Sequence, residues 1–139
     1  MKNANFKDLT PKISPEISKI FDEDERVKFA YLFGSVARKE QNIHSDIDIA
    51  VYLEDDCDFI EAKLELIGTL MEHFGTDNLD LVILNTAALP LATRVIRDGA
   101  VLAERDRFAR HRYESRILRE YFDFSILETS ILNRRYGLG

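Results

Sequence analysis

The sequence of 139 residues predicts an α/β (α+β) fold in a single domain. Two observations support this prediction. Short apolar runs rich in β-forming residues alternate along the chain with segments whose apolar residues recur at helical spacing. No repeat, low-complexity tract or Gly/Ser-rich linker marks a domain boundary. The alternation favours two or three layers of secondary structure, with a core at about residues 14–104 and a C-terminal helical segment at about 105–139.

The first part of the chain predicts two helices and two strands. Ser14 followed by Pro15 is typical of a helix start, and Gly34 stops an apolar run. The second strand is almost wholly apolar, which is typical of a strand in the middle of a sheet. In chain order, the predicted elements are a helix at about 15–25, a strand at 27–33, a short helix at 36–40 and a strand at 47–53.

The remaining elements follow from the same signals. The acidic turn at 54–58 precedes a helical pattern that ends at Gly75, and Asp106 is a candidate cap for a long helix. Residues 81–84 are apolar without a break, so the strand that contains them is predicted to be internal. The predicted elements are a helix at 59–74, a strand at 79–84, a helix at 89–97, a strand at 100–104 and a helix from 106 to the late 120s.

Charge and composition exclude several functional classes. The net charge of −6 argues against general nucleic-acid binding, which requires a basic surface. The charge is uneven, because residues 94–139 carry ten arginines and seven acids and favour an acidic partner or an intramolecular contact. A single cysteine, Cys57, excludes an internal disulfide. No apolar run reaches the roughly 20 residues of a membrane span, and the start lacks a signal-peptide core, so we expect a cytoplasmic protein without membrane contact.

One candidate anion site lies where the first strand ends. Gly34 allows a tight turn and a close ligand approach, and Ser35 adds a hydroxyl donor. The helix predicted to follow would present free N–H groups to a phosphate. Arg38, in the first helical turn, is unfavourable for the helix unless an anion lies beside it. The simpler alternative is an ordinary Gly-Ser turn with a solvated arginine.

Three aspartates form a candidate metal site. Asp46 and Asp48 are two residues apart, so their side chains share one face if both lie on the strand. Two carboxylates held so close repel each other unless a cation such as Mg²⁺ neutralises them. Asp80 is the only charged residue of a later strand, where it is either a third ligand or a solvent-exposed acid at the end of the sheet. For the Asp pair, the alternative is also plain exposure to water.

The combined spacing resembles a known family. Ten residues separate Gly34-Ser35 from Asp46-Ile47-Asp48, as in the nucleotidyltransferase superfamily related to DNA polymerase β. Residues 33–38 (FGSVAR) and 45–51 (SDIDIAV) resemble its minimal branch, the MNT-type nucleotidyltransferases. Those proteins are typically the antitoxin partners of HEPN-domain toxins. The resemblance covers about residues 29–84, and Lys39 stands where the family often has glycine.

The resemblance implies a fold, a reaction and roles for seven residues. The fold would be the nucleotidyltransferase fold, a small mixed β-sheet flanked by helices with a long C-terminal helix. The resemblance implies that Asp46, Asp48 and Asp80 are catalytic and bind two Mg²⁺ ions. It also implies that Gly34, Ser35 and Arg38 hold the triphosphate of ATP, with Ser45 as a further nucleotide-binding residue. Two metals can stabilise both the attacking and the leaving oxygen of an in-line displacement.

The short chain favours a protein as the AMP acceptor, because no second domain is left to enclose a small molecule. We therefore expect an antitoxin that transfers AMP onto a Tyr, Ser or Thr hydroxyl of a HEPN toxin, in a hetero-oligomer. Two alternatives remain open. The chain neutralises its partner by binding alone, or it is an aminoglycoside-type nucleotidyltransferase that builds its cleft as a dimer. An apolar band at 117–126 either packs on the sheet or binds a partner.

Overall fold

A computed structural model describes residues 15–34, 47–75 and 78–136 of the chain. In chain order, the elements are α1 (residues 15–22), β1 (Val27–Phe33), β2 (Ile47–Leu53), α2 (Phe59–Phe74), β3 (Leu79–Ile83), a short 3-10 helix (Leu84–Thr86), α3 (Leu89–Asp98), β4 (Ala100–Glu104) and α4 (Arg107–Tyr136). The predicted bounds of β1, β2, α2 and β4 are confirmed. The predicted helix cap at Ser14 and the short helix at 36–40 lie outside the described residues.

The four described strands form one mixed sheet in the order β3-β2-β1-β4. β1 is antiparallel to both β2 and β4, whereas β2 and β3 are parallel. The prediction of an inner position is confirmed for β2. It is wrong for β3, which lies at an edge of the described sheet and ends at Ile83, one residue early. The apolar composition of β3 has another cause, since Leu81 is buried on one face and Val82 packs on the other.

Helices cover both faces of the sheet, so the described part of the chain has three layers. α1 and α2 pack on one face, where Phe21, Leu32 and Leu70 belong to one buried cluster. α3 and the first part of α4 cover the other face, where Tyr31 and Tyr113 belong to a second cluster. The strands separate the two clusters because successive side chains of a strand point to opposite faces.

Local signals explain where several helices begin and end. The Asp58 carboxylate accepts hydrogen bonds from the N–H groups of Ile60 (3.0 Å) and Glu61 (3.1 Å), and so caps α2. Gly75 ends α2 in the left-handed conformation, with φ of 65°. α1 ends at residue 22, three residues before the predicted end. The Asp24 carboxylate accepts hydrogen bonds from the backbone N–H and the guanidinium of Arg26 and thereby stabilises a turn there.

α4 starts as predicted and is longer than predicted. The Asp106 carboxylate accepts a hydrogen bond of 2.9 Å from the N–H of Ala109, which caps the helix. Ala109, Tyr113 and Ile117 are buried against the sheet and α3. The helix then continues to Tyr136, beyond the predicted end in the late 120s. No helix in the three described ranges has an apolar stretch long enough to span a membrane.

Beyond Ile117, the helix does not pack on its own sheet. Ile117 is only 4% exposed, whereas the next residue, Leu118, is 48% exposed. We define the distal apolar surface as the large exposed hydrophobic side chains of this part of α4, namely Leu118, Tyr121, Phe122, Phe124, Ile126, Leu127, Ile131 and Leu132. The sequence left open whether the apolar band at 117–126 packs on the sheet or binds a partner. The band packs on the sheet only as far as Ile117.

Candidate functional site

Gly34 forms the turn at the end of β1, and its position accepts no side chain. Its φ of 83° lies in the left-handed region, which glycine adopts without strain. A Cβ atom added there would lie only 2.1 Å from Oδ2 of Asp48. The backbone of the turn thus approaches the Asp48 carboxylate closely. The glycine of the candidate anion site is explained by this contact together with its backbone conformation.

Asp48 and Asp80 are direct neighbours on adjacent parallel strands. The register of the sheet pairs Asp48 of β2 with Asp80 of β3, and it pairs Phe33, the last residue of β1, with Asp48. Neighbouring strands lie about 4.8 Å apart, and side chains paired across them point to the same face. The sheet therefore brings the two acids and the Gly34 turn together at one end of the three strands. Asp48 is half-buried and Asp80 is exposed.

The face that carries these acids follows from strand alternation. Asp48 alternates with Ile49, which packs under α1 and α2, and so shares the opposite face with Ala50. Asp80 shares that face with Val82 by the same argument. Both carboxylates therefore lie on the side of the sheet that α3 and α4 cover. Two like charges at neighbouring positions repel each other, so a cation between them would stabilise this arrangement.

Four predicted site residues cannot be placed in this geometry. Ser35, Arg38, Ser45 and Asp46 lie outside the described residues. Within residues 15–34, 47–75 and 78–136, no three His, Cys, Asp or Glu side chains form a group that could hold a metal ion. The structure thus brings together Asp48, Asp80 and Gly34 of the predicted site. The roles of all seven residues remain predictions.

A partly buried polar network on the same face fixes α4 to the sheet. The Tyr31 hydroxyl on β1 donates a hydrogen bond to the Glu114 carboxylate on α4. Arg110 donates to Glu114 over 2.8 Å and also pairs with Glu104 at the end of β4. Burial, and then the Glu114 carboxylate, raise the pKa of Tyr31. The arginines beside Glu104, Arg110 foremost, lower the pKa of that carboxyl.

Sequence reasoning did not identify this network. Tyr31, Arg110 and Glu114 are not among the predicted site residues. The spacing of four residues between Arg110 and Glu114 on a helix was an available signal, because such pairs face each other. The contact of Tyr31 with Glu114 spans 83 residues and requires the folded sheet.

Comparison with known proteins identifies the class. The family described as polymerase beta, nucleotidyltransferase, matches residues 15–108, which are more than half of the chain. The chain therefore belongs to the polymerase beta nucleotidyltransferase family. This match confirms the resemblance and the fold that it implied: a small mixed sheet, flanking helices and a long C-terminal helix.

The individual relatives are more specific. The protein adenylyltransferase MntA of Shewanella oneidensis is 38% identical over 81 residues, which are 58% of this chain and 57% of that protein. The chain thus spans somewhat more than half the length of this curated relative. A chain in the crystal structure of a toxin–antitoxin with AMP-PNP is 25% identical, with a TM-score of 0.66, and the match covers 96% of this chain and 98% of that one.

A further solved structure contains a tri-AMPylated HEPN toxin of Shewanella oneidensis in complex with an MNT antitoxin. The matching chain is 25% identical to this one, with a TM-score of 0.61. The match covers 96% of this chain and 98% of that chain. Because the matches to both solved structures include nearly the whole chain, the likeness extends beyond the nucleotidyltransferase core.

Proposed function

We propose that this chain is an antitoxin that transfers AMP from ATP to a Tyr, Ser or Thr hydroxyl of a partner HEPN toxin and thereby neutralises it. The observation that carries the proposal is the pairing of Asp48 with Asp80 beside the Gly34 turn. Two acids at the end of adjacent strands, next to a glycine turn, suit nucleotidyl transfer. The relatives support the same reaction, since one is a protein adenylyltransferase and another structure holds a tri-AMPylated toxin.

Asp48 and Asp80 would supply two ligands of a magnesium site. Asp48 and Asp80 offer carboxylate oxygens from neighbouring positions on one face of the sheet, and hard divalent cations prefer oxygen ligands. We propose Asp46 as the third ligand and two as the number of ions, on the sequence resemblance alone. When bound, Mg²⁺ would neutralise the charge that develops on the phosphate oxygens during the displacement.

The chain itself would mainly bind and orient the reactants. The Gly34 turn would lie beside the triphosphate, and Ser35, Arg38 and Ser45 would hold it. The acceptor hydroxyl would lose its proton to water. Its oxygen would attack the α-phosphorus and form a new O–P bond while the bond from that phosphorus to pyrophosphate breaks and pyrophosphate leaves. The exposed Asp80 lies where an acceptor hydroxyl can approach from solvent, and would help to orient it. Holding the reacting atoms in line accounts for much of the rate enhancement in such reactions.

The test is an intact-mass measurement. Purified HEPN toxin, incubated with this chain, ATP and Mg²⁺, should gain the mass of one or more AMP units. Asp48→Asn should abolish the gain. Asp55→Asn, the same change at an exposed turn residue of the described chain, should leave it unchanged. A toxin that is neutralised but gains no mass would contradict the proposed transfer.

The distal apolar surface favours a second candidate function, neutralisation by binding alone. Apolar surface of this extent on one helix is typical of a protein interface. The Asp48→Asn variant separates the two functions, because it should keep the distal apolar surface intact. If Asp48→Asn neutralises the toxin as well as the wild-type chain does, binding alone is sufficient. Replacing the toxin by an aminoglycoside in the same assay tests the remaining alternative, a small-molecule acceptor.

A further inference from the structure

A cavity of about 260 Å³ lies between the sheet and α4, toward the other end of the strands from the paired acids. On β2, Tyr52 in the cavity wall is four residues beyond Asp48. At about 3.3 Å per residue, these two positions are roughly 13 Å apart along the strand, so the cavity is separate from the paired acids. The six lining residues are Lys28, Tyr52, Ala109, Arg112, Tyr113 and Arg116.

The lining of this cavity carries three positive charges and, among the described residues, no negative one. Two of the cations have a distant partner, because Nζ of Lys28 lies 3.8 Å from Glu54 and Nε of Arg116 lies 3.7 Å from Glu120. Strong pairs between a cation and a carboxylate are closer, at about 2.7–2.9 Å. Arg112 has no ion pair within residues 15–34, 47–75 and 78–136. The cavity therefore keeps a positive charge that these residues do not neutralise.

Arg110, on the same helix, shows the contrast. It lies 2.8 Å from Glu114, also pairs with Glu104, and has a side chain that is only 17% exposed. The side chain of Arg116 is 49% exposed, and Arg112 is exposed as well. Arg110 thus stabilises the fold of this chain, whereas the charges of Arg112 and Arg116 are accessible to another molecule.

Two tyrosine rings hold cations at the cavity wall. Nζ of Lys28 lies 5.9 Å from the centre of the Tyr52 ring, and Cζ of Arg116 lies 5.4 Å from the centre of the Tyr113 ring. A cation at such a distance from an aromatic face is attracted to it. Tyr113 itself is fixed, since it is buried and its hydroxyl donates to the carbonyl of Leu84 over 3.2 Å. Two cations are therefore positioned before a ligand binds, which lowers the entropic cost of binding.

We propose that this cavity binds a carboxylate side chain of the HEPN toxin and forms a contact with the toxin that is separate from the site of AMP transfer. This inference rests on the proposed function, which makes the toxin the partner. Pockets for whole small molecules usually enclose about 300–1,000 Å³, so a cavity of about 260 Å³ suits a single side chain. The planar guanidinium groups of Arg112 and Arg116 match the geometry of a carboxylate.

Two observations favour an acidic protein segment over a nucleic acid. The net charge of −6 repels a polyanion as a whole, whereas one carboxylate meets only the local positive charge of the cavity. Leu127 of the distal apolar surface lies eleven residues, or about three turns, after Arg116, and so on the same side of α4. A protein that lies along this side contacts the cavity and covers Leu127 together. A nucleic acid would leave the apolar side chains exposed.

A matched pair of variants tests the charge of the cavity. Arg112→Gln should raise the KM for toxin about tenfold, because one ionic contact is lost. It should leave kcat unchanged, since the cavity is separate from the paired acids. Arg107→Gln removes the same charge from an exposed position of α4 outside the cavity and should change neither value. Equal KM values for the two variants would overturn the inference.

Salt dependence distinguishes an ionic contact from a loss of shape. The affinity of the wild-type chain for toxin, measured by calorimetric titration, should fall as the salt concentration rises, because salt screens the contact. The affinity of Arg112→Gln should depend less steeply on salt, and that of Arg107→Gln should have the wild-type slope. The same slope for Arg112→Gln and the wild-type chain would contradict an ionic contact at the cavity.

A zero-length cross-link identifies the carboxylate. A carbodiimide forms an amide bond between a carboxylate and an amine that are in contact. Arg112→Lys places an amine at the cavity and keeps its charge, so it should become linked to an Asp or Glu of the toxin, which mass spectrometry of the peptides identifies. Arg107→Lys should not become linked. An Arg112→Lys complex that transfers AMP and forms no cross-link would overturn the inference and leave the proposed function standing.

Two further results would also overturn the inference. A short single-stranded RNA that binds the wild-type chain but not Arg112→Gln, while both bind toxin equally, would assign the cavity to nucleic acid. A toxin that neither binds nor gains AMP would remove the proposed function together with the inference. The intact-mass assay identifies that case independently of the cavity variants.

Discussion

The core of the protein and the distal part of its last helix differ in whether their apolar side chains are buried. From α1 to Ile117, most large apolar side chains lie in two buried clusters, one on each face of the sheet. After Ile117, the large apolar side chains of α4 are exposed. A helix gains most of its stability in a protein from packing its apolar face, so the second part of α4 gains little from this chain. The comparison teaches that the core holds the fold and the paired acids, whereas distal α4 leaves a large apolar surface uncovered by the described part of this chain.

The test with the largest expected effect compares two adjacent residues at the boundary between the buried and the exposed part of α4. Ile117→Ala removes a buried side chain and should lower the free energy of unfolding by about 2–5 kcal/mol. Leu118→Ala removes an exposed one and should change it by less than about 0.5 kcal/mol. Urea denaturation followed by circular dichroism measures both values. Equal losses for the two variants would mean that the core extends beyond Ile117.

A change beside the paired acids should affect AMP transfer and not the affinity for toxin. In Gly34→Ala, the new methyl group would force the Asp48 carboxylate to move and would strain a backbone with φ of 83°. Displacement of a reacting group by about 1 Å costs roughly a hundredfold in rate. We expect AMP transfer to fall about a hundredfold and the affinity for toxin to stay the same. A rate assay and a binding titration with the same preparation measure these two quantities.

A change on the distal apolar surface should weaken toxin binding and leave the Tm unchanged. Phe122 is 63% exposed, and Phe122→Ala should weaken toxin binding by about 2 kcal/mol, or roughly thirtyfold, with an unchanged Tm. Asp123→Ala, at the neighbouring exposed position, serves as the control and should bind normally. Calorimetric titration with purified toxin measures both. If the two variants bind equally well, the distal apolar surface is not the interface.

The smallest expected effect concerns the network that joins α4 to the core. Tyr31→Phe removes the hydroxyl that donates to Glu114 and should cost about 1 kcal/mol near neutral pH. Because burial raises the pKa of Tyr31, the folded state favours the neutral phenol. Its contribution to stability is therefore complete below pH 10, the ordinary pKa of tyrosine, and is lost as the pH rises above 10.

The pH dependence of unfolding tests this assignment. Burial also raises the pKa of Tyr113, to about 12, so the wild-type protein should lose stability above pH 10 through both tyrosines. Tyr31→Phe should lose stability less steeply there, and the two proteins should converge. Urea denaturation at several pH values from neutral to alkaline measures the slopes. Parallel slopes for the two proteins would contradict the role given to Tyr31.

Local signals in the sequence were sufficient for much of the fold. Asp58 and Gly75 mark the two ends of α2, and Gly34 marks the end of β1, because each acts through its own backbone and immediate neighbours. The pattern of Gly34, Ser35, Asp46 and Asp48 was sufficient to predict the family, which the family match confirms. The proximity of Asp80 to Asp48 came from the resemblance, since the register between two strands depends on packing that no local pattern contains.

Other features depended on the assembled molecule. The edge position of β3 was not predictable, because a strand with apolar side chains on both faces has the same composition at an edge as in the middle. The apolar residues after Ile117 gave no sign of whether their own sheet would cover them. Whether the sheet covers them depends on how far the sheet extends along α4. That extent is defined only once β1 and α4 are packed together.

The length of α4 has a consequence for how the protein survives in a cell. Residues 118–136 form several helical turns with little tertiary support, so this segment should open at a small cost in free energy. An opened apolar segment is a target for proteases and a nucleus for aggregation. A free chain should therefore have a short lifetime compared with a chain in complex. Continued synthesis would then be needed to keep a pool of it available.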